Sequence, residues 1–184
     1  MTIKKKILEL TDIPGWMSDQ EIEWLYKTAG KFDKNAIIIE LGCWLGKSTV
    51  ALCAGAKTRN IFVVDIWCGC EEGFTDKNYI GANGMWQFIT NMKEKVNFVP
   101  FIIFDNSWDS VNRFKDNSID FIFIDADHSA ESVTKDIKAW YKKIKKGGIM
   151  SGHDFFHDAI GVSVLTNLLF KKIEIVDTIW WIER

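Results

Sequence analysis

The chain has 184 residues, a net charge of −2 at pH 7, and 47% hydrophobic and 14% aromatic residues. These values predict a single globular domain over residues 1–184 and exclude an intrinsically disordered chain. The charge gives no electrostatic reason to expect a nucleic-acid partner, and no stretch approaches the roughly 20 apolar residues of a membrane span. The four cysteines lack zinc-site spacing, and the N-terminus lacks the apolar core of a signal peptide, so we expect reduced thiols in a cytoplasmic protein.

The first predicted element is a capped helix over about residues 18–30. Ser18 and Glu21 have the spacing of a capping box, and apolar residues then recur at helical intervals until Gly30. We expect this cap helix to be structural, whereas the preceding segment Pro14-Gly15-Trp16 can reach a ligand site.

Residues 37–50 predict a buried strand, a glycine turn and the start of a helix. An apolar run leads into Glu40, Gly42 and Gly46 follow, and Ser48 opens an apolar segment at helical spacing. Such a turn leaves backbone N–H groups for an anionic or polar ligand, with Gly42 permitting the turn and Gly46 permitting close approach. A glycine turn can also merely connect a strand to a helix.

The next predicted strand, residues 60–65, ends in Asp65, which follows Gly46 by 65 − 46 = 19 residues. Doubly wound folds place an acid at this interval to hold the two ribose hydroxyls of a cofactor, although an acid at a strand end can also cap a helix. Residues from about 66 to 84 then lose periodicity and are rich in glycine, charge and aromatic side chains. This composition predicts a lid-like or ligand-binding loop.

The remainder alternates predicted strands with helices. Strands are expected at residues 96–105, 119–125 and 149–152, and a terminal hairpin at 173–176 and 179–182. The helix between the second and third of these strands should run to Gly147-Gly148 with its lysines on a solvated face, Ser107 should cap a short helix, and a last helix should cover 159–170.

This alternation predicts an α/β fold: a Rossmann-like three-layer sandwich whose seven-stranded sheet is mostly parallel, with a C-terminal antiparallel hairpin. Polar side chains accumulate where five of the strands end. They are Glu40, Asp65, Asp105, Ser107, Asp125, Asp127, His128, His153 and Asp154. Because open α/β sheets bind ligands at the carboxyl edge, we expect the functional site there.

These motifs together resemble the class I S-adenosylmethionine-dependent methyltransferases, in particular the O-methyltransferase branch of catechol and macrocin methyltransferases. The resemblance rests on the first motif, from Glu40 to Ser48, and on the runs 124–129 and 147–154, and it covers nearly the whole chain. It implies transfer of a methyl group from S-adenosyl-L-methionine to a hydroxyl of a small molecule or sugar.

The resemblance also implies roles for single residues. The cofactor-binding residues would be Glu40, Gly42, Trp44, Gly46 and Ser48 around the methionine part, Asp65 at the ribose, and Ser107 and Trp108 at the adenine. Asp125, His153 and Asp154 match the metal ligands of the catechol enzymes, for Mg²⁺ or another divalent metal. His153 and Asp154 could instead only hydrogen-bond the neighbouring loop. His128 falls on the base, so that His128 and Asp125 are the expected catalytic residues.

Two other functional classes stay open on the sequence. A nicotinamide-dependent oxidoreductase would want Gly-x-Gly-x-x-Gly, but Trp44 occupies the second glycine position. A non-catalytic carbohydrate- or partner-binding module on the same fold is suggested by the aromatic loop 67–79. A nucleic-acid methyltransferase is disfavoured because the fourth strand lacks an Asn/Asp-Pro-Pro-aromatic motif. The expected partner is therefore a small-molecule or carbohydrate acceptor, without nucleic acid or membrane, and a homo-oligomer is left open.

Overall fold

Helices and strands alternate along the chain in the computed structural model, which describes residues 3–68, 80–156 and 172–184, with side chains from Ile7 onward. The described helices are α1 (Ile3–Leu10), α2 (Asp19–Ala29), α3 (Lys47–Gly55), α4 (Gly81–Val96), α5 (Ser107–Ser110) and α6 (Ala130–Tyr141), with a 3₁₀ turn at Val111–Arg113. The described strands are β1 (Ile38–Leu41), β2 (Ile61–Asp65), β3 (Phe101–Phe104), β4 (Ile119–Ile124), β5 (Ile144–Gly152), β6 (Glu174–Val176) and β7 (Ile179–Glu183).

These strands form one sheet in the order β3-β2-β1-β4-β5-β7-β6. Strands β1 to β5 pair in parallel, whereas β7 is antiparallel to both β5 and β6. The α/β fold with a mostly parallel seven-stranded sheet and a terminal antiparallel hairpin is therefore confirmed. Since β2 and β4 flank β1 on opposite sides, the winding of the sheet reverses between β1 and β4. Ligands of open α/β sheets bind outside the carboxyl ends of the strands at such a reversal.

Apolar side chains cover both faces of the sheet. Strand β1 is buried throughout: Ile38 belongs to the core beneath α2, α3 and α4, and Ile39 to the core beneath α6. Burial of each such side chain contributes roughly 1.5–3 kcal/mol, so the strand ends are anchored from both faces. Among the described residues, none of the helices combines the length and apolarity needed to cross a bilayer.

The predicted cap helix is present. Ser18 is the N-cap of α2: its hydroxyl accepts a hydrogen bond from the Glu21 backbone N–H, and the Glu21 carboxylate accepts one from the Ser18 backbone N–H, which makes a capping box. Helix α1 was not predicted. The expected loop 66–84 is shorter at its end because α4 begins at Gly81, and the expected helix 159–170 lies outside the described residues.

Helix α6 ends earlier than the sequence predicted. It stops at Tyr141, and residues 144–152 form β5, so Gly147 and Gly148 belong to a strand. The reason is tertiary: Ile144 pairs with Ile119 of β4, and the Lys145 ammonium lies 2.8 Å from a carboxylate oxygen of the adjacent strand. Pairing with β4 therefore overrides the helical periodicity of the lysine run.

Lys143 is likewise not on a solvated face. Its side chain is buried, and Nζ donates to the carbonyl of Phe114 at 2.8 Å and pairs with Asp116 at 2.7 Å. The prediction of an exposed lysine was wrong here. Lys143 lies between α6 and β5, where its side chain packs against the turn that contains Phe114 and Asp116.

Candidate functional site

The first glycine of the turn after β1 is required by a neighbouring strand. Gly42 has φ +78°, and a Cβ at this position would collide with the Asp125 carbonyl and with Ala126, which follow β4. The ends of β1 and β4 can therefore touch only if position 42 lacks a side chain. The contact between Gly42 and residues 125–126 lies where the winding of the sheet reverses, and we take this place as the candidate site.

The second glycine of the turn has a packing role in addition to the one expected. Gly46 is the N-cap of α3, with φ +92°, and a Cβ there would lie 3.0 Å from the ring of Phe88 and 3.3 Å from the sulfur of Met92. The missing side chain thus makes room for α4, and close approach of a ligand to Gly46 stays a prediction. Ser48 lies buried in the first turn of α3, whose N-terminus has no side-chain cap.

Asp65, at the end of β2, organises the turn through backbone groups. Its Oδ2 accepts hydrogen bonds from the N–H groups of Cys43 and Trp44 at 2.7 and 2.9 Å, and Oδ1 accepts one from Trp67 at 2.6 Å. The ribose contact stays a prediction, while the structural role of Asp65 is visible.

Glu40 is fully buried beneath the turn. The Thr49 hydroxyl donates to Oε2 at 2.5 Å, whereas Oε1 has no hydrogen bond of good geometry among the described residues. Burial raises the pKa of Glu40 to about 8, although the hydroxyls of Ser48 and Thr49 act in the opposite direction. A buried oxygen without a partner is costly and indicates a place for a donor or a cation.

Trp44 of the turn is in contact with two further tryptophans, Trp16 and Trp67. Trp44, with φ +40°, stacks on Trp16 at a centroid distance of 5.2 Å and an interplanar angle of 16°. Its carbonyl accepts a hydrogen bond from the Trp67 indole at 2.9 Å. Trp16 is 69% exposed, so the segment before α2 does reach the edge of the site.

Ser107 and Trp108 follow β3 but face α6. Ser107 is the first residue of α5 and not its cap, which is Asn106, and its hydroxyl hydrogen-bonds to the buried carboxylate of Asp136. Burial raises the pKa of Asp136 to about 6. The ammonium of Lys135 lies 3.9 Å from the centroid of the Trp108 ring. The side chain of Ser107 is thus engaged in packing, and the adenine contacts stay predictions.

Three ionisable side chains meet at the carboxyl ends of β4 and β5. They are Asp125, His128 and Asp154, each of which offers a ligand atom within 4.8 Å of the other two. Nδ1 of His128 lies 2.7 Å from Oδ2 of Asp154, and this contact raises the pKa of His128 although burial opposes the rise. Asp154 has φ +60°, an uncommon conformation for a residue other than glycine.

His153 lies behind this cluster and is surrounded by carboxylates. Nδ1 lies 3.2 Å from Asp154 and 3.5 Å from Asp125, and Nε2 lies 3.2 Å from Glu21. Burial lowers the pKa of His153, but the three carboxylates outweigh it and raise the value to about 12. A protonated ring has no lone pair for a metal. The expected set of Asp125, His153 and Asp154 stays a prediction, and the geometry favours His128 in the place of His153.

Asp127 does not orient His128. Its carboxylate accepts hydrogen bonds from the backbone and hydroxyl of Ser129 and from the hydroxyl of Ser132, at the start of α6. Side chains of neighbouring residues on extended backbone diverge. Asp154, which is distant in the sequence, contacts the His128 ring instead.

The sequence reasoning missed Glu21 as a member of the site. Its capping-box spacing was visible, but a local pattern contains no signal that the second carboxylate oxygen would be buried against His153.

Comparison with known proteins gives the family of the domain. Residues 39–155 match the family model described as a methyltransferase domain. The chain is 27% identical over 134 residues to the uncharacterized protein R132 of Acanthamoeba polyphaga mimivirus; the match covers 71% of this chain and 57% of that protein. The chain thus spans little more than half the length of that relative.

Solved structures share the fold at low identity. A Corynebacterium glutamicum protein superposes with a TM-score of 0.73 at 10% identity, covering 97% of this chain and 89% of the other. SMU.1697c from Streptococcus mutans, crystallised in complex with SAH, has a TM-score of 0.65 at 14% identity, covering 91% and 99%. The family match covers more than half of the chain and includes both the glycine turn and the Asp125–Asp154 cluster, and the chain therefore belongs to the methyltransferase domain family.

Proposed function

We propose that this protein binds S-adenosyl-L-methionine and transfers its methyl group to a hydroxyl of a small molecule. The family and the fold support methyl transfer in general. The His128–Asp154 pair at the carboxyl edge carries the finer proposal, because a hydroxyl acceptor needs a group that removes its proton.

The turn after β1 fits this cofactor. S-adenosylmethionine carries an ammonium and a sulfonium cation, and Oε1 of Glu40 is a buried acceptor without a hydrogen bond among the described residues. A cation nearby would lower the pKa of Glu40 and stabilise its ionised form. Asp65 holds the turn through the amides of Cys43 and Trp44 and lies at the end of β2, which is where the proposed ribose contact would be made.

His128 is the proposed general base. S-adenosylmethionine supplies an electrophilic methyl group when bound. Asp154 holds Nδ1 of His128, so Nε2 is the nitrogen that receives the proton of the acceptor hydroxyl. The methyl group would move to the acceptor oxygen and leave the cofactor sulfur as a neutral sulfide, and alignment of the acceptor would supply much of the acceleration. Asp154 also stabilises the imidazolium that results.

The same cluster is compatible with a divalent cation. Two carboxylates and one imidazole, from Asp125, Asp154 and His128, are a donor set that Mg²⁺, Mn²⁺ or a softer ion accepts. Such an ion would lower the pKa of the acceptor hydroxyl. His128 would then be a ligand and not the base, and the positive charge of His153 nearby opposes this arrangement.

The proposed acceptor is a ring-bearing hydroxyl compound such as a sugar. Two indole rings, those of Trp16 and Trp44, stack at the edge of the site, and Trp16 is 69% exposed; aromatic side chains at this edge support an acceptor that contains a ring. The aromatic loop 67–79, on which the sequence argument for a carbohydrate depended, lies largely outside the described residues.

The test uses labelled S-adenosylmethionine with a panel of hydroxylated glycosides and phenols. We expect His128→Gln to lower turnover by about 10²- to 10⁴-fold, the usual contribution of a general base, with calorimetric affinity for the cofactor nearly unchanged. Excess chelator should leave the wild-type rate intact. Loss of turnover in chelator with recovery on Mg²⁺ or Mn²⁺ would assign the cluster to a metal, and a wild-type rate in His128→Gln would exclude His128 as the base.

A further inference from the structure

Glu21 has one more carboxylate oxygen than its capping box uses. It is the third residue of α2, and its Oε2 accepts the Ser18 backbone N–H at 2.8 Å, which completes the cap. The cap requires only one oxygen at a helix end, where solvent can reach it. Yet Glu21 is 2% exposed, and burial of a carboxylate is unfavourable unless its partners compensate.

The second oxygen joins segments that are distant in the chain. Oε1 accepts hydrogen bonds from the Thr178 hydroxyl at 2.6 Å and from its backbone N–H at 3.1 Å. It also lies 3.2 Å from Nε2 of His153; the N–H is not aligned on the oxygen, so this contact is an ion pair and not a hydrogen bond. These contacts outweigh the effect of burial, which raises the pKa, and lower the pKa of Glu21 to about 2.

Thr178 in turn holds the backbone beside Asp154. The N–H of Phe155 donates to the Thr178 carbonyl at 2.9 Å, directly after the left-handed residue Asp154. Such a conformation persists only where the surrounding structure fixes it. Glu21 therefore reaches Asp154 by two routes, through the ring of His153 and through the turn that contains Thr178.

We propose that Glu21 is a positioning residue for the Asp125, His128 and Asp154 cluster. It holds His153 and Thr178, and these set the orientation in which Asp154 meets His128. Helix α2 and the β6–β7 turn are thus coupled to the reacting edge of the sheet. The expected effect on kcat rests on the proposed function. The expected effect on the orientation of Asp154 and His128 rests on the contacts alone.

Ser18 provides a matched control, since Ser18→Ala weakens the same cap without altering the contacts of Oε1. We expect Glu21→Gln to lower kcat for methyl transfer by about 10- to 100-fold, as for other groups that orient a reacting shell, with the KM for cofactor within about twofold. Ser18→Ala should lower the thermal midpoint and leave kcat within about twofold.

A second readout does not depend on turnover. Ring signals of His153 and His128 in the cofactor-free protein, assigned by His153→Asn and His128→Gln, should shift in Glu21→Gln and stay in place in Ser18→Ala. If the wild type transfers no methyl group, the proposed function fails, and the ring signals still decide the role of Glu21.

The proposal is overturned if folded Glu21→Gln matches Ser18→Ala in both kcat and ring signals, because Glu21 then only caps a helix. If Glu21→Gln does not fold, Thr178→Ala removes one contact of Oε1 and should shift the same signals by a smaller amount. Unchanged ring signals in folded Thr178→Ala overturn the proposal as well.

Discussion

Individual acids at the carboxyl edge of the sheet differ in ionisation because their partners differ. Glu40 has one hydroxyl partner of good geometry and is fully buried, which raises its pKa to about 8. Asp154 contacts two histidines, and these lower its pKa despite burial. Burial thus favours the neutral form of Glu40, and the two histidines favour the ionised form of Asp154. The same residue class thus differs in ionisation between two places in one site, because burial dominates at Glu40 and the contacts with histidine dominate at Asp154.

At this scale the pH dependence of stability tests Glu40. Its ordinary pKa is 4.5, so between about pH 4.5 and 8 the folded protein retains a proton that the unfolded chain has released. The Glu40 contribution to stability is full below pH 4.5 and is lost as the pH rises through about 8. Glu40→Gln mimics the protonated acid. Its free energy of unfolding, measured with urea, should therefore rise relative to that of the wild type by on the order of a few kcal/mol between pH 5 and 8.5. Glu183→Gln, on the surface, is the control. Parallel curves for wild type and Glu40→Gln would show that Glu40 is already ionised in the fold.

Among the elements, the turn after β1 combines two kinds of constraint. Asp65 fixes the amides of residues 43 and 44, and the missing side chain of Gly42 lets β1 approach the end of β4. The turn is thus shaped by contacts from β2 and β4, and its geometry is preserved only while both strands keep their places.

Two glycines with the same φ separate backbone strain from crowding. Gly42 and Gly147 both have φ +78°, but a Cβ at Gly147 meets nothing within 4 Å. Gly147→Ala should therefore cost only the conformational strain, about 1–2 kcal/mol. Gly42→Ala should cost more, because residues 125–126 must also move, and it should weaken cofactor binding at least tenfold. Chemical denaturation and calorimetry measure the two effects. Equal destabilisation by the two substitutions would mean that the contact between the ends of β1 and β4 adjusts easily.

Across the whole molecule, the candidate site draws on both halves of the sheet and on α2. A ligand that bridges β1, β2 and β4 should therefore stabilise the folded state as a unit by mass action. At a concentration 100-fold above its Kd, S-adenosylmethionine should add about 2.7 kcal/mol, which raises the midpoint of a domain of this size by roughly 5–10 °C.

This stabilisation is measured by thermal unfolding with S-adenosylmethionine, its demethylated product, and nicotinamide nucleotides in parallel. The first two should raise the midpoint and the nicotinamide nucleotides should not. The reverse pattern would support the nicotinamide-dependent oxidoreductase and would contradict S-adenosylmethionine as the cofactor.

The sequence by itself determined the order of the strands and helices of the sheet. It also predicted the edge of the sheet at which the candidate site lies. Apolar runs, glycine turns and strand-end acids are local patterns, and these predicted the mostly parallel sheet, the capping box of α2 and the terminal hairpin. Local periodicity failed at residues 142–148: α6 stops at Tyr141, and pairing with β4 makes residues 144–148 part of a strand.

Only the tertiary structure decided which side chains meet. Nothing local distinguishes Asp127 from Asp154 as the partner of His128, or shows that Gly46 lies against the ring of Phe88. The same holds for Glu21, whose second oxygen finds its partners 132 and 157 residues later in the chain (153 − 21 and 178 − 21). Burial and long-range packing set these pairs, and therefore the ionisation of the site, because desolvation and charge contacts depend on distance in space and not on distance along the chain.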